Sequence, residues 1–192
     1  TGVQTCALPI SVLIEKCING QKDAFAEIVE RYQHRIYFMS LTRMRDPFEA
    51  EDLAQETFIQ AYRKLESYDP QRSFRNWLFT ICANLGKNRL RSRARRREVH
   101  NPNPEIKPAQ GQRAEHCRID LMTALHKIPE KLRVPLFLKH VEGFTYDEIS
   151  VAMRIGTSAA KMRVKRGRDQ LVRHLSENTM DSAGHKPGSG KI

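Results

Sequence analysis

Long apolar runs are missing from this chain. No stretch of about 18 consecutive apolar residues occurs, which excludes a transmembrane helix of that length and predicts no insertion into a membrane. Segments that alternate apolar and polar residues between turn residues are also missing, which argues against a sheet. The 4 cysteines include no C-x-x-C pair. Neither a disulfide scaffold nor a zinc ribbon is therefore indicated, and we expect a reducing, cytoplasmic environment.

Acidic residues are few relative to basic ones. The 192 residues include 33 lysines and arginines against 22 aspartates and glutamates, a net charge of +11. Such an excess favours a polyanionic partner, and nucleic acid is the first candidate. The charge is unevenly placed, because acids dominate residues 46–66 and bases dominate residues 87–98.

The patterns divide the chain into two compact units. Residues 1–10 resemble the translation of a sequencing-adapter oligonucleotide, and we leave them out of the fold as a non-native segment. The first unit is expected at 11–97 and the second at 119–176. Residues 98–118 contain three prolines and little apolar content, which predicts a flexible linker. Residues 177–192 contain three glycines and are expected to form a disordered tail.

Nearly all periodic segments have the repeat of amphipathic helices, which predicts an all-α fold of two helical domains joined by a flexible linker. Pro135 lies inside the fifth predicted helix, where it predicts a kink or a later start. The predicted helices are Ala24–Thr42, Pro47–Leu65, Phe74–Arg96, Ile119–Lys127, Glu130–Glu142, Tyr146–Met153 and Ser158–Leu175.

The predicted acidic helix at 47–65 has two opposite stripes. Its core face contains Ala54, Phe58, Ala61 and Leu65. Its opposite face, here named the outer stripe, contains Asp52, Gln55, Glu56, Ile59 and Arg63. An isoleucine exposed among acids and an amide favours a docking face for a basic helix of another protein, with Ile59 as the apolar anchor. A solvated charge run is the simpler alternative. Acid–base or metal chemistry is disfavoured, because no histidine is placed to join the acids.

The predicted basic helix at 74–96 is also two-sided. Its expected core face contains Phe74, Trp77, Leu78, Ile81 and Leu85. Its polar stripe contains Asn76, Thr80, Asn84, Lys87 and Arg91. Amides and cations in register suit base edges and phosphates. The turn-rich loop at 67–73 before this helix could receive an unstacked base. Considered alone, Tyr68 and Trp77 are more typical of a core than of a base platform.

The last two predicted helices form a helix-turn-helix pattern. Thr145 and Glu148 match a capping box, and Gly156 is expected to take the turn conformation. The second helix has a core face and a basic face, and a helix of its size can enter the major groove of DNA. The expected inward residues are Ala160, Val164, Gly167 and Leu171.

Three sets of motifs resemble those of bacterial sigma factors. Residues 52–58 (DLAQETF) resemble the core-binding motif D-L-x-Q-E-x-F. Residues 68–78 resemble the segment that meets and melts the minus-ten promoter element, and residues 125–149 resemble the fourth conserved region, which reads the minus-thirty-five element. Counterparts of the first and third regions of the housekeeping factors are not found. The resemblance, over about 11–175, is therefore to the compact extracytoplasmic-function (ECF) group.

The resemblance implies a promoter-specificity subunit that binds core RNA polymerase and promoter DNA, with an anti-sigma factor as a further expected partner. Together with the helical faces, it assigns contacts with the polymerase clamp helices to Asp52, Gln55, Glu56 and Ile59. It assigns minus-ten contacts to Tyr68, Arg72, Arg75, Asn76, Thr80, Asn84, Lys87, Asn88 and Arg91. It assigns minus-thirty-five contacts to Lys161, Met162, Arg163, Lys165 and Arg166.

The departures from the family pattern fall in the turn and at the start of the last helix. Arg154 and Gly156 stand where glycine and then serine are usual, and Met162 replaces a common serine. Residues 158–160 (SAA) replace a usual Gly-Thr-Val. These changes concern the DNA sequence that the helix reads rather than the fold.

Two other functions remain as alternatives. A stand-alone helix-turn-helix regulator accounts for the last two helices but not for the outer stripe. A nucleic-acid enzyme such as a recombinase needs a placed nucleophile or a carboxylate–metal cluster, and the sequence offers neither. We therefore expect no catalysis, no cofactor and no metal. His100, His116 and Cys117 lie in the predicted linker with the wrong spacing for metal ligands.

Overall fold

A computed structural model of the chain describes residues 8–99 and 123–183, and for 96–99 and 177–183 only the helical backbone. The described residues contain no strand, which confirms the all-α prediction for this part of the chain. They divide into two compact units: the first comprises the described residues up to 99 together with 151–154, and the second comprises 123–150 and 155–183. The first unit contains α1 (Ile10–Ile18), α2 (Asp23–Met44), α3 (Pro47–Arg63), a 3-10 turn (Leu65–Ser67) and α4 (Phe74–Val99).

The junction of α2 and α3 is fixed by local chemistry. Arg45 ends α2 in the left-handed region at φ 68°, a conformation that ends many helices. Asp46 then caps α3, because its carboxylate accepts a hydrogen bond from the Glu49 amide at 2.9 Å, and Pro47 occupies the first helical position. This turn sets α3 against α2, and both helices contribute to one core. Fully buried members of that core are Ile28, Ile36, Met39, Leu53 and Ala61.

The helix α1 was not predicted from the sequence. It is only nine residues long, and Pro9 at its start provides no side-chain cap, so the local signals for a helix are weak. Burial of Leu13, Ile14 and Cys17 and packing on α2 stabilise it instead. Its first residue, Ile10, lies in the segment predicted to be non-native, whereas residues 1–7 lie outside the described part.

The predicted core face of α4 is partly wrong. Phe74 and Leu78 are buried as expected, but Trp77 is only half-buried. The same correction applies to Ile81 and Leu85. Residues that the prediction omitted are buried instead: Phe79, Cys82, Ala83 and Gly86. The reason is that α4 packs on both α2 and α3, so its buried face is wider than one stripe.

The second unit contains a helical segment at 123–127 (α5), α6 (Glu130–His140), α7 (Tyr146–Met153) and α8 (Thr157–Ala183). Helix α6 begins at Glu130 although Pro135 lies inside it, and it is buried from Leu132 to Leu138. The buried guanidinium of Arg133 donates to the carbonyls of His126 at 3.3 Å and Ile128 at 3.1 Å. These bonds satisfy carbonyls that the end of α5 leaves without helical partners.

Two helices run further than predicted. Helix α4 reaches Val99, two residues into the predicted linker, and α8 reaches Ala183, seven residues into the predicted disordered tail. Residues 176–183 contain neither glycine nor proline, so no stop signal occurs before Gly184. Helix α6, in contrast, ends two residues early at His140. The rest of the predicted linker and tail lies outside the described residues.

Candidate protein and nucleic-acid interfaces

The outer stripe of α3 faces away from the core of the first unit, as predicted. Ile59 is 51% exposed, and Asp52 and Gln55 are exposed beside it. The core face opposite is buried at Ala54, Phe58, Ala61 and Leu65. An apolar side chain therefore lies on the surface, with acceptor groups on its amino-terminal side and the exposed Arg63 on its carboxy-terminal side.

A second apolar group on this face was missed by the sequence analysis. Phe48 is 79% exposed, and at 100° per residue it falls on the same side of α3 as Ile59, about 16 Å away along the axis. The helical repeat could have found it, because Phe48 is one turn before Asp52. The outer stripe thus has an aromatic at one end and an isoleucine near the other.

Acids of α3 pair with arginines of α4. Glu56 accepts a hydrogen bond from Arg89 at 3.1 Å, and the same guanidinium lies 3.4 Å from the carbonyl oxygen of Asp52. One turn further along α4, Arg93 pairs with Glu49. These pairs flank a groove of about 450 Å³ between the two helices. The basic residues of α4 therefore form two sets. The inner set, Arg89 and Arg93, pairs with acids of α3, and the outward set, which includes Lys87 and Arg91, is exposed.

The polar stripe of α4 is held by bonds along the helix itself. The Thr80 hydroxyl donates to the Asn76 carbonyl at 2.7 Å, and the Asn84 amide donates to the Thr80 carbonyl at 2.8 Å. The Asn84 side chain also has a second N–H and an acceptor oxygen that this bond does not use. The remaining members of the stripe, Lys87 and Arg91, are exposed, as is the neighbouring Asn88.

The loop before α4 is built around Tyr68. This tyrosine is only 9% exposed, its hydroxyl donates to the Arg72 carbonyl, and its ring lies 5.1 Å from that of Trp77. Burial, with Asp69 and Tyr32 as smaller contributions, raises the pKa of Tyr68. The structure therefore places Tyr68 inside the loop and not as an open stacking surface. Arg72 is exposed beside it and pairs with Asp69 at 3.2 Å.

The predicted capping box lies at the start of α7, and the turn between α7 and α8 has a feature that was not predicted. The Glu148 amide donates to the Thr145 hydroxyl at 3.2 Å, and the Thr145 amide donates to the Glu148 carboxylate at 2.7 Å. Arg154 takes the left-handed conformation at φ 52°, whereas Gly156 has no positive φ, so the expected role of Gly156 is wrong. The Thr157 hydroxyl bonds Asp147 at 2.9 Å and ties the two helices together.

Helix α8 exposes most of its cations, whereas Arg163 is half-buried. Its inward residues Ala160, Val164 and Gly167 are buried as predicted, and Leu171 is half-buried. A Cβ at Gly167 would lie 2.9 Å from the Leu132 carbonyl, so only glycine allows α8 this close to α6. The five predicted DNA contacts lie outside this buried face: Lys161, Met162, Arg163, Lys165 and Arg166.

The described residues lack a cluster of metal-ligating side chains. They contain no group of three His, Cys, Asp or Glu side chains that could hold a metal ion. His100, His116 and Cys117 lie outside the described ranges. None of the described helices is long and apolar enough to cross a membrane.

Taken together, two helical units that both expose cations on one long helix are typical of a DNA-binding protein. Comparison with known proteins identifies the family. The model of sigma-70 region 2 matches residues 28–96, and that of sigma-70 region 4 matches residues 118–171. The RNA polymerase sigma-H factor of Pseudomonas aeruginosa is 30% identical, over 85% of this chain and 92% of its own length. The ECF sigma factor SigW of Bacillus subtilis is also 30% identical, over 85% of this chain and 95% of its own length.

The chain belongs to the sigma-70 family, in its ECF group, and it is an RNA polymerase sigma factor: it binds core polymerase, recognises promoter elements and initiates DNA-templated transcription. Sigma factors are initiation factors rather than catalysts. A solved structure agrees in fold: the sigma factor RpoE of Bartonella quintana, in complex with the anti-sigma factor NepR, has a TM-score of 0.67 at 24% identity, over 79% of this chain and 96% of that one. The stand-alone regulator is not favoured.

Proposed function

We propose that the outer stripe of α3 is the surface that docks on core RNA polymerase. The observation that carries this assignment is the 51% exposure of Ile59. An exposed apolar side chain next to Asp52 and Gln55 is stabilised by burial against a basic, partly apolar partner. A pair of basic helices in the polymerase clamp is such a partner. Phe48 extends the apolar part of the same face.

The polar stripe of α4 is proposed to recognise the minus-ten element. Asn84 is held by its bond to Thr80, so its remaining donor and acceptor are positioned before DNA arrives. The outward cations Lys87 and Arg91 would meet backbone phosphates. The loop stiffened by Tyr68 would hold an unstacked base, with Tyr68 as its framework and Arg72 as its exposed cation.

The basic side of α8 is proposed to enter the major groove at the minus-thirty-five element. The capping box fixes the start of α7. The Thr157–Asp147 bond ties α7 to the start of α8 and so helps to hold the angle between the two helices, as reading by a helix-turn-helix requires. The exposed cations Lys161, Lys165 and Arg166 are long enough to reach phosphates and guanine edges.

Regulation by an anti-sigma factor is part of the proposal. One structural neighbour, the sigma factor RpoE, is in complex with the anti-sigma factor NepR, and a second, CnrH, is in complex with the cytosolic domain of CnrY. We further propose that the protein acts in the cytoplasm and has no catalytic activity or cofactor of its own. These assignments follow from its role as a polymerase subunit.

The test is a pull-down of purified core RNA polymerase with the full chain in the absence of DNA. A sigma factor is retained by core without DNA, whereas a stand-alone regulator has no reason to be. The Ile59→Ser variant should lose most of the retained polymerase while keeping the far-UV circular dichroism of the parent. Retention unchanged by Ile59→Ser would contradict the assignment of the outer stripe.

A further inference from the structure

Helix α8 has an exposed methionine at its most outward position. Met162 is 50% exposed, although methionine is among the residue types most often buried. On a helical wheel at 100° per residue, the four inward residues of α8 point in one mean direction. Met162 points within about 10° of the opposite direction. No position on the helix projects further from the core of the second unit in its first two turns.

The surroundings of Met162 form a small apolar spot framed by cations. Ala159, three residues earlier, is exposed on the adjacent position. Lys161 and Lys165 lie on one flank of Met162, and Arg163 and Arg166 lie on the other flank. Cations on both sides of an apolar centre suit a ligand with phosphates at its edges and an apolar group in the middle.

The major groove of DNA offers one apolar group. The C5-methyl of thymine is the only apolar substituent that the four bases present there, and apolar side chains contact it in known readout. In a helix-turn-helix the base contacts come from the first turns of the second helix. Met162 is the sixth residue of α8, which begins at Thr157. A flexible unbranched side chain can adapt to such a methyl group.

We propose that Met162 reads a thymine methyl group in the minus-thirty-five element of the promoters that this sigma factor uses. The inference rests on the proposed role of α8. Under this proposal, the chain recognises one base through an apolar contact at the position where Met162 replaces the serine usual in the family. Ala159 forms the edge of the same contact, and the flanking cations hold the two phosphate backbones.

The test replaces thymine by uracil, which removes only the methyl group. Holoenzyme reconstituted from core polymerase and the full chain first selects promoter duplexes from a library randomised over the minus-thirty-five region. The selected duplex is then the probe, and each of its thymines in that region is replaced by deoxyuridine in turn. At one position the affinity should fall about three- to fivefold, as expected for loss of one buried methyl contact.

Variants at the same position separate this reading from a general effect of uracil. With Met162→Ala the sensitivity to uracil should disappear at that one position, and with Met162→Leu it should remain. All variants should keep the parent circular dichroism, because the side chain is exposed. Equal affinity for thymine and uracil at every position would overturn the inference, as would a uracil effect that persists in Met162→Ala.

Arg166→Ala serves to distinguish a failure of this inference from a failure of the proposed function. If Arg166→Ala weakens binding to the selected duplex but uracil has no effect, α8 binds the element and only the methyl contact is wrong. If neither Arg166→Ala nor any uracil changes the affinity, or if no minus-thirty-five preference is selected, α8 does not read this element and both proposals fall.

Discussion

The two helices proposed to read DNA hold their polar groups in different ways. On α4, Thr80 and Asn84 donate to carbonyls one turn back in their own helix, and Arg89 and Arg93 pair with acids of α3. On α8, Lys161, Lys165 and Arg166 are exposed, and Met162 lies among them. Helix α4 thus presents polar groups whose orientation is fixed before DNA binds. Helix α8 presents long side chains whose conformation can adjust when DNA binds.

This difference fits two kinds of nucleic acid. A base taken out of the stack is read by hydrogen bonds to its edge, which need donors and acceptors placed for one geometry. Duplex DNA can be held by flexible cations on its phosphates and read at a few positions in the groove. A count of basic residues does not separate the two cases, since the arginines of α4 include a set that stabilises the protein itself.

The largest expected effect is a loss of core affinity when a charge is reversed in the first unit but not when one is reversed in the second. Asp52→Arg places a cation on the proposed docking face, where like charges across the interface cost several kcal/mol. We expect at least a hundredfold loss of core affinity, measured by fluorescence anisotropy of labelled protein. Asp169→Arg, on the exposed surface of α8, is the matched reversal in the second unit and should change core affinity far less. Equal losses for both variants would remove the distinction between the units.

Glu56→Arg is a less clean test of the docking face. Glu56 accepts from Arg89 at 3.1 Å, so the reversal places two cations together inside the first unit. Asp52→Arg, at an exposed position, should therefore leave the fold of the free protein unchanged, whereas Glu56→Arg should also lower its stability.

The second expected effect concerns packing in the second unit. Gly167→Ala places a Cβ 2.9 Å from the Leu132 carbonyl, and we expect a destabilisation of about 1–3 kcal/mol. Trp77, the single tryptophan, reports unfolding of the first unit, and circular dichroism reports both. The circular dichroism midpoint in urea should fall while the Trp77 transition stays in place. Gly156→Ala, where a Cβ meets nothing within 4 Å, is the control. A shift of the Trp77 transition by Gly167→Ala would show that the units unfold together.

The third expected effect divides the arginines of α4 into an inner and an outer set. Arg89→Ala removes a half-exposed ion pair and should lower the stability of the first unit by about 0.2–1 kcal/mol, seen in the Trp77 transition. Arg91→Ala should leave that transition unchanged but reduce the salt dependence of DNA binding by about one phosphate contact. If both variants behave alike, the basic run has one function and not two.

The smallest expected effect is a pH dependence confined to the first unit. Burial raises the pKa of the Cys82 thiol, with smaller opposing effects from Ser40, Thr57 and Arg43. The folded state therefore keeps the thiol proton to higher pH than the unfolded state, whose thiol titrates near 8.5. The associated stability is complete below that pH and falls as pH rises above it.

Cys82→Ala tests that dependence. The Trp77 transition in urea with a reducing agent should lose under about 1 kcal/mol between pH 7.5 and 9 in the parent through this group, and the loss should be smaller in Cys82→Ala. An identical loss in both proteins would assign it elsewhere.

The sequence predicted most of the fold because the relevant signals are local. The stripes of α3, the capping box at Thr145 and Glu148 and the family motifs are all patterns within one helix or turn. What the sequence did not predict depends on contacts between elements. The helix α1 needs α2 to be stable, the broad buried face of α4 results from packing on two helices, and the Glu56–Arg89 pair joins residues 33 positions apart.

The same holds for the candidate site: its local helical patterns could be predicted from the sequence, and its contacts between elements could not. The outward position of the outer stripe followed from the helical repeat. The residue type of Tyr68 favoured burial, but its place inside the loop depends on tertiary packing of its ring with Phe74 and Trp77. Gly156 was expected to take the turn conformation, yet Arg154 is the residue of this turn that lies in the left-handed region. Local preference for glycine is weak enough for the surrounding structure to override.

Run-off transcription with two variants tests the central claim, that α4 and α8 read different elements by different means. Reconstituted holoenzyme is assayed on one responsive promoter with its minus-thirty-five element intact and with that element scrambled. Asn84→Ala should lower transcription from both templates, whereas Arg166→Ala should lower it strongly on the intact template and little on the scrambled one. Base-edge contacts of about 1–3 kcal/mol correspond to losses of roughly five- to a hundredfold. Equal sensitivity of the two variants to the loss of the element, or transcription unaffected by both, would contradict the account.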